Sequence, residues 1–212
     1  MITPDLSQIF LFLGATLLLN FTPGADILYI ATQSLVQGKR QGIVAALGIS
    51  TGLLFHVFIT AIGVGEIVRY SPLAFWILKI SGAFYLLYLA RKAFLSKEFI
   101  LPNASQGHVI GSFKTYLGGI LTTLLNPKII LFFLTFLPQF TSPVKGQLVG
   151  QLLFLGGLFI LSGTCVNLSY VFFFSLFKEV IFKSKRAAHI IQKLTGTLFL
   201  ILASKLLLTE SH

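Results

Sequence analysis

The 212-residue sequence predicts an all-α integral membrane protein: six transmembrane helices in two inverted three-helix repeats, with helices one and four broken at proline. Composition is the first reason. Hydrophobic residues make up 55% and charged residues 10%, with a mean hydropathy of +0.90, whereas a soluble domain is about one quarter charged. The second reason is uninterrupted apolar length. Leu6 to Ala25, Gln41 to Gly65 and Gly146 to Phe177 contain no Asp, Glu, Lys or Arg, and each reaches the roughly 20 residues that a bilayer crossing needs. The third is that helix breakers recur at equivalent places in the two halves. Six spans use about 120 residues, so residues 1–212 form a single transmembrane domain with short loops.

Apolar blocks and their punctuation place the spans at about 6–36, 43–65, 72–94, 113–140, 148–174 and 190–208. Pro4, Pro72, Pro102 and Pro143 fall at or between span ends, where a missing N–H costs little. Pro23 and Pro127 fall inside spans one and four. At 1.5 Å per residue these two spans measure roughly 46 and 42 Å against a hydrocarbon core near 30 Å, so each must bend, tilt or overhang. Their breakers read Asn20-Phe21-Thr22-Pro23-Gly24-Ala25-Asp26 and Asn126-Pro127-Lys128.

Spans three and six repeat the correspondence. Lys79-Ile80-Ser81-Gly82-Ala83 matches Lys193-Leu194-Thr195-Gly196-Thr197, and Arg91 matches Lys205 at the same offset. The chain therefore reads as a duplicated unit, repeat one about 1–98 and repeat two about 108–212. Three spans per unit force the second copy to enter from the opposite side, which places a site at the interface of the halves.

The net charge of +10 would suggest nucleic acid in a soluble chain, but here the basic residues lie between apolar blocks. Lys39 and Arg40, then Arg91, Lys92 and Lys97, then Lys178, Lys183, Lys185 and Arg186 follow spans one, three and five. The opposite face offers mainly Arg69, Lys145 and Lys205, so the loops after spans one, three and five are expected in the cytoplasm and both termini outside. Lys79, Lys114, Lys128 and Lys193 lie in or near helix ends and could snorkel to either face. The N-terminus MITPDLSQIF lacks a basic n-region, so no removable signal peptide is expected. The single cysteine, Cys165, excludes an internal disulfide and a CxxC pair.

Asp26 is the sharpest functional signal. A lone carboxylate in lipid costs at least about 2.5 kcal/mol, so it should face the protein interior, unless its helix overhangs and leaves it at the cytoplasmic interface. Lys128, directly after the second break, can neutralise Asp26, hold a substrate carboxylate, or snorkel to a headgroup. Pro23 and Pro127 leave the carbonyls of Leu19 and Thr123 without their usual helical donors. Asn20, Thr22 and Asn126 could repair those gaps locally; alternatively the half-helix ends, the first at the Pro23-Gly24 break, form a substrate site.

Gly48-Ile49-Ser50-Thr51-Gly52 matches a GxSxG nucleophile pattern, but that motif works at a strand-to-helix elbow. Within span two the same residues are a GxxxG, which lets two helices approach closely. His56 could relay protons or simply pack. Glu66 is expected at the outer end of span two, near Arg69. Thr164, Cys165 and Asn167 either line the same cavity or bond between helices. No metal-ligand cluster is present in sequence, because His56, Glu66 and Cys165 are isolated from one another.

Taken together, Asn20 to Gly52 (NFTPGADILYIATQSLVQGKRQGIVAALGISTG), Lys79 to Phe94 (KISGAFYLLYLARKAF) and Leu124 to Phe140 (LLNPKIILFFLTFLPQF) resemble the LysE/RhtB superfamily of bacterial amino-acid exporters. The likeness in length and spacing runs over essentially the whole chain. It implies a multi-pass bacterial inner-membrane exporter of amino acids or close derivatives, in the branch of homoserine, threonine or leucine efflux. It also implies that Pro23, Gly24, Asp26, Asn126, Pro127 and Lys128 occupy motif positions. Ala25 departs from the pattern, since many relatives carry a second proline there, which implies a softer first break.

The expected function is export of a small zwitterion by proton antiport, with no enzymatic activity and no cofactor. Asp26 would respond to protons, Lys128 would be its charge partner, and the broken ends would cradle the substrate. Its partners would be the amino-acid substrate, protons and the lipid bilayer, without nucleic acid; pairing into a homodimer stays open. An ion or metal efflux permease is the alternative, and an intramembrane hydrolase resting on Ser50 and His56 a weaker one.

Overall fold

The computed structural model describes residues 6–22, 24–64, 111–141 and 147–176, with scattered positions between 73 and 91 and between 193 and 204. Every element among the described residues is helical. In chain order they are α1 (Leu6–Phe21), α2 (Ala25–Gln37), α3 (Lys39–Ile59) continued by a π-type turn (Thr60–Val64), α4 (Ser112–Leu124), α5 (Pro127–Leu131), a second π-type turn (Phe132–Phe136) and a 3-10 turn (Leu137–Phe140), and α6 (Leu148–Leu176).

The segment expected as span one is the pair α1 and α2, bent by 50°, and that expected as span four is α4 with Pro127–Phe140, bent by 48°. The bends answer the excess length of both segments. Pro23 itself lies outside the described residues, whereas Pro127 is the first residue of α5, where its missing N–H is no loss. Asn126 caps that helix: its side chain accepts a hydrogen bond from the Lys128 backbone N–H at 3.1 Å.

Span two begins earlier than the expected residue 43, at Lys39. Gly38, at φ +90°, reverses the chain in one residue and lets α3 start at once, a conformation that costs a side-chain-bearing residue but not glycine. The basic start was invisible to a hydrophobicity reading. Lys39 lies 3.9 Å from the Phe172 ring centre of α6, which shelters its cation. Span five, α6, runs two residues past its expected end.

Packing follows from the small residues. A Cβ on Gly52 would lie 2.8 Å from the Thr123 Cβ, and one on Gly119 would lie 2.6 Å from the Ala45 carbonyl oxygen. Only glycine permits α3 and α4 to approach this closely, so the Gly48 to Gly52 pattern is a helix-packing face rather than a nucleophile elbow. Ser50 donates to the Ala46 carbonyl and shares a 2.7 Å bond with Thr164 of α6.

Two apolar clusters result. One is aromatic, with Phe12, Phe132, Phe133, Phe136, Phe140 and Phe159 in mutual contact; the other joins Ile27, Ile30, Leu35, Ala45, Ile49, Val171 and Phe174. Large side chains such as Phe10, Leu18, Phe55, Phe58, Leu121 and Leu161 face outward. Helices apolar on their outer surface as well as inside suit lipid, where water is not the competing solvent.

The Lys79 to Ala83 and Lys193 to Thr197 correspondence falls mostly outside the described residues. So do Glu66, Arg69, Lys92, Lys97, Lys145, Lys178, Lys183, Lys185, Arg186 and Lys205.

Candidate transport site

The two breaks meet. Asp26, in the first turn of α2, and Lys128, in the first turn of α5, are each 6% exposed. Asp26 sits at the positive end of its own helix, which favours a carboxylate. Its Oδ1 accepts from the Thr123 hydroxyl and its Oδ2 from the Asn126 side-chain amide, both at 3.0 Å. The donors thus come from the closing turn of α4 and the break behind it.

The arrangement is reciprocal. Lys128 Nζ donates to the carbonyls of Leu19 at 3.3 Å and Thr22 at 3.1 Å, at the closing end of α1. A helix carboxyl end is the negative one, so an ammonium belongs there. Lys128 neither snorkels to a surface nor closes a direct ion pair with Asp26; it faces Asp26 across a shared small cavity. Gly24 makes room for it, since a Cβ there would lie 3.2 Å from Nζ.

The backbone left open by the breaks is accounted for by these contacts. Besides Lys128, the Leu19 carbonyl receives the Thr22 N–H at 3.1 Å, and the Phe21 carbonyl receives the Tyr170 hydroxyl at 3.0 Å. The Thr22 hydroxyl bonds back to the Leu18 carbonyl at 2.8 Å, so it is the Thr22 backbone N–H, not its side chain, that serves Leu19. The Thr123 carbonyl accepts from the Asn126 N–H and from His56 Nε2, each at 3.1 Å. Because a carbonyl only accepts, His56 carries its proton on Nε2. The His56 ring also stacks on Phe133, with centroids 5.7 Å apart.

Of the two readings open for Asn20, local repair and a place at the site, the contacts accord with the second. Asn20 turns away from the break carbonyls, donates to the Ser162 hydroxyl of α6 at 3.3 Å and lines the cavity. Of the α6 polar set, Asn167 lines the cavity, Thr164 bonds to Ser50, and Cys165 is exposed. The side-chain role of Thr123 was not expected from sequence. Its only signal was a hydroxyl one turn before the second break.

The cavity is bounded by Asn20, Asp26, Ile27, Ile49, Leu53, Lys128, Ile129, Phe159 and Asn167. It has room for about one water, far less than the several hundred Å³ of an organic ligand pocket. Among the described residues, no group of three His, Cys, Asp or Glu gathers where it could hold a metal ion.

Outward-facing apolar helices around a buried acid, a buried base and two interrupted helices define a multi-pass membrane protein with a polar interior. Comparison with known proteins narrows the class: the chain belongs to the LysE type translocator family, which it matches over residues 17–210. The homoserine/homoserine lactone efflux protein of Salmonella typhimurium is 30% identical over 198 residues, covering 93% of this chain and 94% of the relative. The leucine efflux protein of Salmonella choleraesuis is 27% identical over 209 residues, 94% of each. An uncharacterised membrane protein of Bacillus subtilis is 32% identical over 182 residues, 82% of this chain and 86% of its own length. No solved structure matches. Family and efflux relatives together make this chain a transporter rather than an enzyme.

Proposed function

We propose that this protein exports amino acids or close derivatives across the bacterial inner membrane by proton antiport, using Asp26, Lys128 and the two broken-helix ends as its site. The observation that carries the reading is the reciprocal crossing of the breaks: each contributes one buried charge to the closing end of the other. Asp26, Thr123, Asn126 and Lys128 offer a zwitterion both signs of charge, and the Leu19 and Thr22 carbonyls offer its ammonium two acceptors. Homoserine, homoserine lactone and leucine, named for the efflux relatives, set the expected size of cargo.

Coupling follows from competition. A proton on Asp26 cancels the negative charge that attracts the substrate ammonium, so proton and substrate exclude one another on that carboxylate. One proton entering per zwitterion leaving moves a net positive charge inward, worth about 2.3 kcal/mol per 100 mV, enough for a gradient of tens-fold. His56 reaches Asp26 through Thr123, bonded to its carbonyl while its hydroxyl holds the carboxylate, and supplies a second titratable group on the proton path.

Descending residues of the second break meet ascending residues of the first, Lys128 at 19 and 22 and then Thr123 at 26. That order supports two oppositely inserted three-span repeats, about 1–98 and 108–212. The basic loops after spans one, three and five then belong in the cytoplasm, with both termini outside.

Cells lacking their own exporters, loaded with dipeptides, should release the liberated amino acid when they express this protein. Asp26→Asn should abolish release at normal membrane levels. Unimpaired export by that variant would remove Asp26 from the mechanism.

A further inference from the structure

We propose that solute enters the Asp26 cavity along a polar seam where α2 meets α3 and α4, with Tyr29 as its gate; this rests on the transporter reading above. On α2, Asp26, Tyr29, Gln33 and Gln37 recur at three- and four-residue intervals and share one face. They form a polar stripe from the cavity to the turn at Gly38, in a helix otherwise rich in Ile, Leu and Ala. Gln41 of α3 donates to Ser112 of α4 at 3.2 Å near the far end of that stripe.

The seam is buried but incompletely satisfied. Gln33 is 4%, Ser34 2% and Thr115 0% exposed, and the hydroxyls of Ser34 and Thr115 have no hydrogen-bond partner. Buried hydroxyls without partners are costly and uncommon. Their retention is explained if the seam opens during the cycle, so that water or a solute bearing ammonium and carboxylate groups bonds to them.

Tyr29 closes the inner end. It lies one turn from Asp26, and its hydroxyl donates to the Thr115 carbonyl at 2.8 Å, tying α2 to α4. It nests against Gly118, where an added Cβ would collide with the phenol oxygen. Among the described residues, the cavity wall at Phe159 is backed instead by an aromatic cluster with Phe12, Phe132, Phe133 and Phe136. The described conformation is therefore closed by one hydrogen bond on the seam side and by an aromatic layer at Phe159.

The chain has one cysteine, which is exposed, so Cys165→Ser supplies a thiol-free background. Thr115→Cys would be probed in vesicles with a small, charged, membrane-impermeant methanethiosulfonate, added from either face. We expect modification from the face bearing the Gly38 turn and slowing by leucine. Tyr29→Phe should accelerate it about fivefold, the equilibrium worth of one ordinary hydrogen bond. Gly118→Ala should do the same by displacing the phenol.

Thr16→Cys is the control, because the Thr16 hydroxyl is also buried and unpartnered but lies away from the seam. The proposal is overturned if Thr115→Cys stays unreactive in all three backgrounds, or if Thr16→Cys reacts equally fast. Export is measured separately on the same variants. Retained export with a closed seam removes only the path, whereas absent export with a reactive seam removes only the transporter reading.

Discussion

Lys128 offers the most quantitative test, because its surroundings specify what each replacement should do. Lys128→Met deletes two charge-assisted bonds, at 3.1 and 3.3 Å, and leaves the Asp26 carboxylate buried without its facing cation. Removing one member of a buried charge pair costs about 3–5 kcal/mol, which for a chain of this length corresponds to a fall of about 6 to 20 °C in the unfolding midpoint. Lys128→Arg should not rescue. The cavity beside the Lys128 ammonium has room for only about one water, so the broader guanidinium does not fit. Gly24→Ala, which crowds the same ammonium, should lose stability to an intermediate extent. The double variant Asp26→Asn with Lys128→Met removes both charges, so it should melt above Lys128→Met while exporting nothing. Midpoints would be read on detergent-solubilised protein by size exclusion after graded heating. An unchanged midpoint for Lys128→Met, or a double variant no better than the single, would refute charge compensation between these residues.

Two further outcomes follow from packing. Gly119→Val should lower membrane levels sharply, because its Cβ position is 2.6 Å from the Ala45 carbonyl oxygen and 3.1 Å from the Gly48 Cα, and overpacking of this kind costs about 1–3 kcal/mol or more. Gly157→Val, with nothing within 4 Å of its Cβ position, should accumulate normally on an immunoblot of the same membranes. His56→Phe keeps the stack on Phe133 but removes the donor to the Thr123 carbonyl, for a loss of about 1 kcal/mol. It should also change how export depends on external pH; an unaltered profile would leave His56 a packing residue.

Much of the architecture was readable from the chain alone, because the relevant forces act along it. Apolar length marked spans one, two, four and five near their observed limits, and excess length with an internal proline foretold that spans one and four bend. The pattern Gly48 to Gly52 carried its packing role, since closeness of helices depends on missing side chains. Span two was misplaced at its start because Lys39, Arg40 and Gln41 form helix without being apolar. Hydrophobicity reports solvent, not hydrogen bonding.

Pairing at the site was less legible. That Asp26 and Lys128 mattered followed from the cost of intramembrane charge, and that the Leu19 and Thr123 carbonyls needed donors followed from the prolines. Which groups would serve them did not follow. Lys128 serves Leu19 from 109 positions away, His56 serves Thr123 from 67, and Thr123 in turn holds Asp26 from 97. Asn20 could have mended its own break or lined the site, and it is folding that turns it to Ser162 of α6 at the cavity. Local chemistry therefore set the demand, one charge and one open carbonyl at each break. Only folding, which brings groups on distant helices within hydrogen-bonding reach, decided who meets it.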